Sequence, residues 1–309
     1  MLQVKETVIG KWNNNEYTVL SKLGEGGVGA VYKVKDNKGY TRALKISKDI
    51  NSITREFNMM TKLKSLKNVP RVYEIDDYER NENIYYFLVM EYIEGYNLKE
   101  IIKYGSMKVK EIIGIGIILL NILEKFYKMG YVYADLKPEN IMIDKRGKKV
   151  NFIDFGGVVE ENQGIKEYTP AYSILSWEID GCNDYIAYLV FSVAMIITSM
   201  LLKKEFNPLL NNLNQIESRI KLLVLDNRFK KCLIKALRGE IKSIGNFKES
   251  LKKSFKECNS SLVVTSKYRA KVKTKTKIGL TIDVFFTFSM VFFLIVLISI
   301  GINFYFYRG

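Results

Sequence analysis

Tyr133-Ala134-Asp135-Leu136-Lys137-Pro138-Glu139-Asn140, followed by Ile153-Asp154-Phe155-Gly156, decides the reading of this chain. Each motif sits on or beside a turn. An apolar strand precedes each, Gly130 to Val132 in the first case and Lys149 to Ile153 in the second. Together they set an Asp, a Lys, an Asn and a second Asp at short, fixed separations. Phosphoryl transfer needs such groups: a carboxylate to orient a hydroxyl, a cation near the moving phosphate, and two oxygen ligands for Mg²⁺.

Upstream, Gly24-Glu25-Gly26-Gly27-Val28-Gly29-Ala30-Val31 has glycines where a side chain would block close backbone approach to phosphate oxygens. The loop joins two strands, read at Val19-Leu20 and Ala30 to Val34. A dinucleotide-binding loop of the same spacing would join a strand to a helix. A third strand covers Thr41 to Ile46 and contains Ala43, Leu44 and Lys45. Ile53, Phe57, Met60 and Leu63 recur at helical spacing, so the sequence predicts a helix over Ser52 to Leu66. Strand character returns over Val72 to Ile75 and Tyr85 to Glu91. Helices then dominate: Leu98 to Tyr104, Val109 to Met129, Asp184 to Leu202, and several between Leu209 and Phe255.

In this order the motifs resemble those of the eukaryotic-type (Hanks-type) serine/threonine protein kinases of bacteria, over roughly Tyr17 to Glu257. The resemblance implies an α+β, two-lobed fold, with a β-rich lobe over about 17–92 and a helical lobe over about 96–257. It also implies ATP and Mg²⁺, with Mn²⁺ as a possible substitute. Gly24, Glu25, Gly26, Gly27, Val28, Gly29 and Val31 would cover the phosphates, and Ala43 would belong to the same nucleotide site. Lys45 would pair with the α- and β-phosphates and be held by Glu56. Within Phe87-Leu88-Val89-Met90-Glu91-Tyr92-Ile93-Glu94-Gly95, Met90 would line the back of the adenine pocket, and backbone groups from Glu91 to Ile93 would bond its edge. Asp135 would orient the acceptor hydroxyl, Lys137 would neutralise the moving phosphoryl group, and Asn140 and Asp154 would hold the metal.

The chain departs from the family pattern at several places. Tyr133 stands where histidine is usual, and Ala134 where an arginine normally clamps a phosphorylated activation segment. Without that bidentate partner, activity is expected not to depend on activation-segment phosphorylation in the usual way. The interval from Lys45 to Glu56 is short. Tyr168-Thr169-Pro170-Ala171-Tyr172 resembles the substrate-docking segment, Ser176-Trp177-Glu178 stands in for A-P-E, and Asp184 resembles the aspartate that braces the catalytic loop.

Composition bounds the remainder. The chain has 309 residues, with 48% hydrophobic and 26% charged, which reads as globular. It has no histidine, which removes Ser-His-Asp and Cys-His catalysis and imidazole metal ligands. Cys182, Cys232 and Cys258 show no CxxC spacing and fit a reducing compartment. Met1 to Gly10 lacks the apolar core of a signal peptide. Of the net charge of +15, six units come from Lys267, Arg269, Lys271, Lys273, Lys275 and Lys277. No nucleic-acid motif accompanies them, so no nucleic-acid partner is expected.

That basic run instead precedes Ile278 to Tyr307, which carries a single internal charge, Asp283. About 20 apolar residues cross a hydrocarbon core of ~30 Å. The expectation is a basic juxtamembrane linker over 258–277 facing anionic lipid, then a transmembrane helix over 278–307. By the positive-inside rule this makes a single-pass C-terminal anchor in the cell membrane with the catalytic lobes cytoplasmic. Arg308 and Gly309 alone would follow it, leaving no extracellular sensor. The expected function is ATP-dependent phosphorylation of Ser/Thr hydroxyls in protein substrates. Two other readings stay open at this point: an ATP-binding pseudokinase scaffold at the membrane, and a small-molecule kinase on the same fold.

Overall fold

The computed structural model describes residues 2–145, 149–165, 168–179 and 184–258. The expected linker (beyond Cys258) and transmembrane segment lie outside the described residues. By its contacts the chain divides into two units. Every element below belongs to the first; of the second, only 222–224 are described.

The first lobe is a six-stranded antiparallel sheet formed by β1 (Thr7–Ile9), β2 (Glu16–Gly26), β3 (Gly29–Asp36), β4 (Thr41–Ser47), β5 (Val72–Arg80) and β6 (Asn83–Glu91). Its spatial order is β1-β2-β3-β4-β6-β5. Strand periodicity divides its side chains between two faces. Tyr17, Val19, Tyr32, Val34, Leu44, Ile46, Phe87 and Val89 turn to one side and form a core cluster with Val8. The alternate positions turn to the other side, and the register aligns Val31 with Lys45, Lys45 with Leu88, and Ala43 with Met90. That second face is the roof of a cleft.

Between β4 and β5 runs α1 (Ile50–Lys62), begun by Asp49, whose carboxylate accepts the Asn51 N–H. Its buried stripe includes Ile53, Glu56, Met59 and Met60. The helix stops at Lys62, short of the Leu66 expected from spacing. Leu63 keeps its buried position through a bent C-cap, so the apolar period continues where the helical backbone does not. A three-residue strand, β1, joins the sheet ahead of Tyr17 through Val8 opposite Tyr17.

The second lobe begins with β7 (Gly95–Asn97) and α2 (Leu98–Tyr104), whose Asn97/Glu100 capping box satisfies its first turn. Then come α3 (Val109–Lys128), β8 (Tyr131–Tyr133), β9 (Ile141–Asp144), β10 (Val150–Phe152) and β11 (Val158–Glu160). The short strands form two small sheets, β10-β9-β7 and β11-β8, which fix the turns between them. α4 (Tyr185–Leu202), α5 (Leu213–Lys221), α6 (Asn227–Leu237) and α7 (Ile244–Glu257) complete the lobe.

Among the described residues, α4 is the helix with the length and apolarity of a membrane span. It is buried from Ala187 to Leu201, with α3, α6 and α7 packed against it. An apolar surface on every side of a helix is what a central core position requires. Gly116 of α3 lets the two helices approach: a Cβ there would lie 2.5 Å from Ile197 Cδ1.

Candidate active site

The cleft face of the sheet presents Val31, Ala43, Lys45 and Met90 along neighbouring strands. The hairpin between β2 and β3 carries the glycine-rich loop. A Cβ at Gly24, Gly26 or Gly27 would meet nothing within 4 Å, so the fold's own packing does not require glycine at these three positions. At Gly29 the reason is internal, because a Cβ there would lie 2.3 Å from the Ile46 carbonyl oxygen. Glu25 and Val28 are exposed on the hairpin, and Glu25 pairs with Lys22 at 2.5 Å.

Lys45 and Glu56 meet as the sequence predicts. Lys45 Nζ lies 2.5 Å from Glu56 Oε2 and 3.4 Å from Asp154 Oδ1. Glu56 is fully buried, and its other oxygen accepts the Phe155 N–H at 3.3 Å. Burial disfavours charge on Lys45, yet the Glu56 and Asp154 carboxylates together raise its pKa above the ordinary lysine value. Burial, followed by Asp154, pushes Glu56 upward against the pull of Lys45. Burial also works against the Asp154 carboxylate, but Lys45, the Gly156 N–H and Lys137 hold its pKa below the ordinary aspartate value. Removing one partner from a buried pair of this kind costs ~3–5 kcal/mol.

The second motif leaves β8 and turns beneath the cleft. Lys137 Nζ lies 2.5 Å from Asp135 Oδ2, and Thr169 Oγ1 donates to Asp135 Oδ1 at 2.7 Å. Asn140, in the tight turn Pro138–Asn140, donates from Nδ2 to the Asp135 carbonyl at 3.0 Å. Among the described residues, Asn140 Oδ1 and Asp154 Oδ2 have no protein partner, so two hard oxygen donors remain unused. Such oxygens suit Mg²⁺, which takes few protein ligands and completes its shell with phosphate and water. No cluster of three carboxylates exists among the described residues, so the fit requires a nucleotide's phosphates.

Tyr133, in the usual histidine position, is buried against Phe126, Phe152 and Phe155, and its hydroxyl donates to the Asp154 carbonyl. It thus ties β8 to the Asp154 turn. At the connection between lobes, Met90 and Ile93 are buried. The Glu91 N–H donates to Arg71 O, and its carboxylate accepts the Arg71 N–H. The Ile93 N–H and C=O have no backbone partner among the described residues and remain open to a planar ligand's edge.

Two expectations near the substrate-docking segment are corrected. Asp184 does not brace the catalytic loop: its carboxylate accepts the Ile186 N–H and caps α4, a local bond that a short acid forms readily. The bond to the loop comes instead from Tyr188, which donates to the Ala134 carbonyl at 2.5 Å. Sequence reasoning missed this residue because a tyrosine in an apolar helix reads as core. Glu178 is exposed with φ of 52° and forms no ion pair among the described residues. Glu217 of α5 is a buried carboxylate, held by Arg238 at 2.5 and 2.9 Å.

Comparison with known proteins agrees with this geometry. The protein kinase domain family matches residues 17–258. Serine/threonine-protein kinase YabT of Bacillus subtilis is 36% identical over 251 residues, covering 79% of this chain and 73% of that protein. A probable serine/threonine-protein kinase of Clostridium perfringens is 38% identical over 156 residues, 48% of this chain and 22% of its own. Serine/threonine-protein kinase PrkC of Bacillus subtilis is 32% identical over 155 residues, 48% of this chain and 24% of its own. With the lysine, the paired glutamate and the two aspartates converging on one cleft, the chain belongs to the protein kinase domain family and is a serine/threonine protein kinase.

Proposed function

We propose that the chain moves the γ-phosphoryl group of ATP to serine and threonine hydroxyls of protein substrates at the cleft between β4, α1 and the turns that carry Asp135 and Asp154. The observation that carries this reading is the hydroxyl of Thr169 seated 2.7 Å from Asp135 Oδ1, with Lys137 2.5 Å from the other oxygen of the same carboxylate. An acceptor hydroxyl in that place would be oriented by Asp135 beside a cation.

Asp154 and Asn140 would hold Mg²⁺ through their unpartnered oxygens. When bound, the metal neutralises charge on the phosphate oxygens. Lys45, fixed by Glu56, would contact the nucleotide phosphates. The open glycines Gly24, Gly26 and Gly27 let the hairpin backbone close on them. As the acceptor oxygen bonds to phosphorus, the bond to ADP breaks and the hydroxyl proton passes to the Asp135 carboxylate. Incubating the full chain with γ-labelled ATP, Mg²⁺ and a generic protein substrate tests this. Label is expected on Ser and Thr; label confined to a small metabolite would contradict it.

The proposal also sets the chain in the cell membrane as a single-pass, C-terminally anchored protein with its lobes cytoplasmic. Its support is the sequence of 278–307, uncharged apart from Asp283, behind six basic residues between Lys267 and Lys277. Each basic residue near an anionic leaflet is worth ~1 kcal/mol. Asp283 at the bilayer centre would cost ~2.5–3.5 kcal/mol. A hydrocarbon region beginning near Val284 avoids most of that cost. The full chain is expected to resist carbonate extraction from membranes; release by salt alone would mean surface adsorption.

A further inference from the structure

Asp135 is held by its backbone as well as by its side-chain partners, and the peptide just before it is pinned from both sides. The Ala134 N–H donates to the Gly157 carbonyl at 3.1 Å. Gly157 also abuts Asp135 directly, since a Cβ there would fall 2.5 Å from Asp135 Cβ. From below, Tyr188 Oη donates to the Ala134 carbonyl at 2.5 Å, and both residues are buried. Tyr188 lies one turn into α4, with its backbone N–H bonded to Asp184 O at 3.0 Å, and it stands in the central helix of the lobe.

We propose that Tyr188 is a positioning residue for the phosphoryl transfer proposed above. Its hydroxyl fixes the Ala134–Asp135 peptide, and so aims the Asp135 carboxylate, from the rigid core of the lobe. This inference rests on the role given to Asp135. It also gives Ala134 a physical context. The Ala134 side chain has no polar group to hold this peptide, and the α4 phenol holds it through the backbone carbonyl.

Three further observations agree. The neighbouring acid, Asp184, caps its own helix through Oδ1, and among the described residues the hydrogen bond from α4 to this loop is the one from the phenol. Ser173, buried and without a hydrogen bond meeting ordinary geometry, faces the same phenol. Ser173 follows Tyr172, whose carbonyl accepts Ser192 Oγ of α4 at 2.7 Å. The helix therefore holds the Asp135 loop and the Thr169–Ser173 segment through adjacent turns, Tyr188 for one and Ser192 for the other. Burial keeps Tyr188 protonated, with its pKa well above the ordinary tyrosine value, so it remains a donor throughout the working pH range.

The test is Tyr188→Phe in the full chain, which keeps the ring and removes only the donor. A displaced catalytic group loses rate and not nucleotide affinity, so kcat is expected to fall about tenfold. KM for ATP should stay within twofold, because Lys45, Glu56 and Asp154 are untouched. Replacing Tyr188 by 4-aminophenylalanine, which restores an N–H donor at the same place, should recover most of the lost kcat. Hydrogen exchange in the Phe variant should quicken over 131–140 and stay unchanged over β2 to β4. Wild-type kcat in the Phe variant would overturn the proposal. So would a loss of kcat and ATP affinity together, or a loss that the amino variant leaves uncorrected. If the Phe variant does not fold, a 4-aminophenylalanine protein that folds with less than a tenth of wild-type kcat would also overturn it. Asp135→Asn, run beside these, separates the two claims: if that variant keeps full rate, the role of Asp135 fails first.

Discussion

Lys45 Nζ lies 3.4 Å from Asp154 Oδ1 across 109 positions of sequence, while the same ammonium holds Glu56 Oε2 at 2.5 Å. One cation therefore joins the sheet, α1 and the turn after β10. Because Glu56 is buried and also accepts the Phe155 N–H, the position of α1 and that of the Asp154 turn are coupled through a single side chain.

Lys45→Met should uncouple them, with a definite pH signature. In the wild type Asp154 ionises below the ordinary aspartate value, so it contributes stability above that value and loses it as pH falls through the folded value. Without Lys45 the Asp154 pKa rises from its lowered value, because burial is then opposed only by the Gly156 N–H and Lys137. Glu56, already raised, rises further. Relative to the wild type, both carboxyls then lose stability as pH rises from the ordinary carboxylate range toward neutrality. Urea unfolding should show the variant destabilised by about 3 kcal/mol at pH 7, and by clearly less near pH 4. Equal destabilisation at both values would contradict the assigned coupling.

The glycines of the hairpin should divide into two kinds. Gly29→Ala places a Cβ 2.3 Å from Ile46 O and should lower stability by ~1–3 kcal/mol. Gly26→Ala meets nothing within 4 Å and should leave the unfolding midpoint in place while raising KM for ATP severalfold. Thermal unfolding and initial-rate kinetics on the two proteins decide it. Loss of stability at Gly26, or unchanged ATP kinetics there, would contradict a phosphate-covering role.

Much of this was legible in advance, and the exceptions share a cause. β2 to β4, β6, α2 and α3 declare themselves through alternation or helical period, α4 through its unbroken apolar run, and Asp135, Lys137, Asn140 and Asp154 through their spacing. β1 was not legible, because a strand of three residues with one inward side chain, Val8, offers no alternation to detect. The end of α1 was misplaced because Leu63 is buried without being helical. The brace from α4 escaped because a hydrogen bond to a backbone carbonyl leaves no trace in residue type. Asp184 resembles the family's bracing aspartate in sequence, but its carboxylate caps α4.

Thr169 and Ala134 predict the response to phosphorylation. The Thr169 hydroxyl donates to Asp135, and Ala134 offers no cation for a phosphate. Thr169→Ala should lower kcat about tenfold with little change in KM for ATP. Phosphatase treatment of the wild-type protein should alter its rate less than twofold. A large, reversible loss on dephosphorylation would show that another cation serves the segment.

The most direct test of the central claim compares γ-phosphoryl transfer by the wild-type chain, Asp135→Asn and Asp154→Asn, each in saturating ATP and Mg²⁺ and each checked for folding. The wild type should label protein Ser and Thr. Both variants should remain folded, Asp154→Asn with some loss of stability from its contact with Lys45, and each should lose at least a hundredfold in rate, since each charge acts on the transition state. Folded variants that transfer phosphate at the wild-type rate would contradict the account.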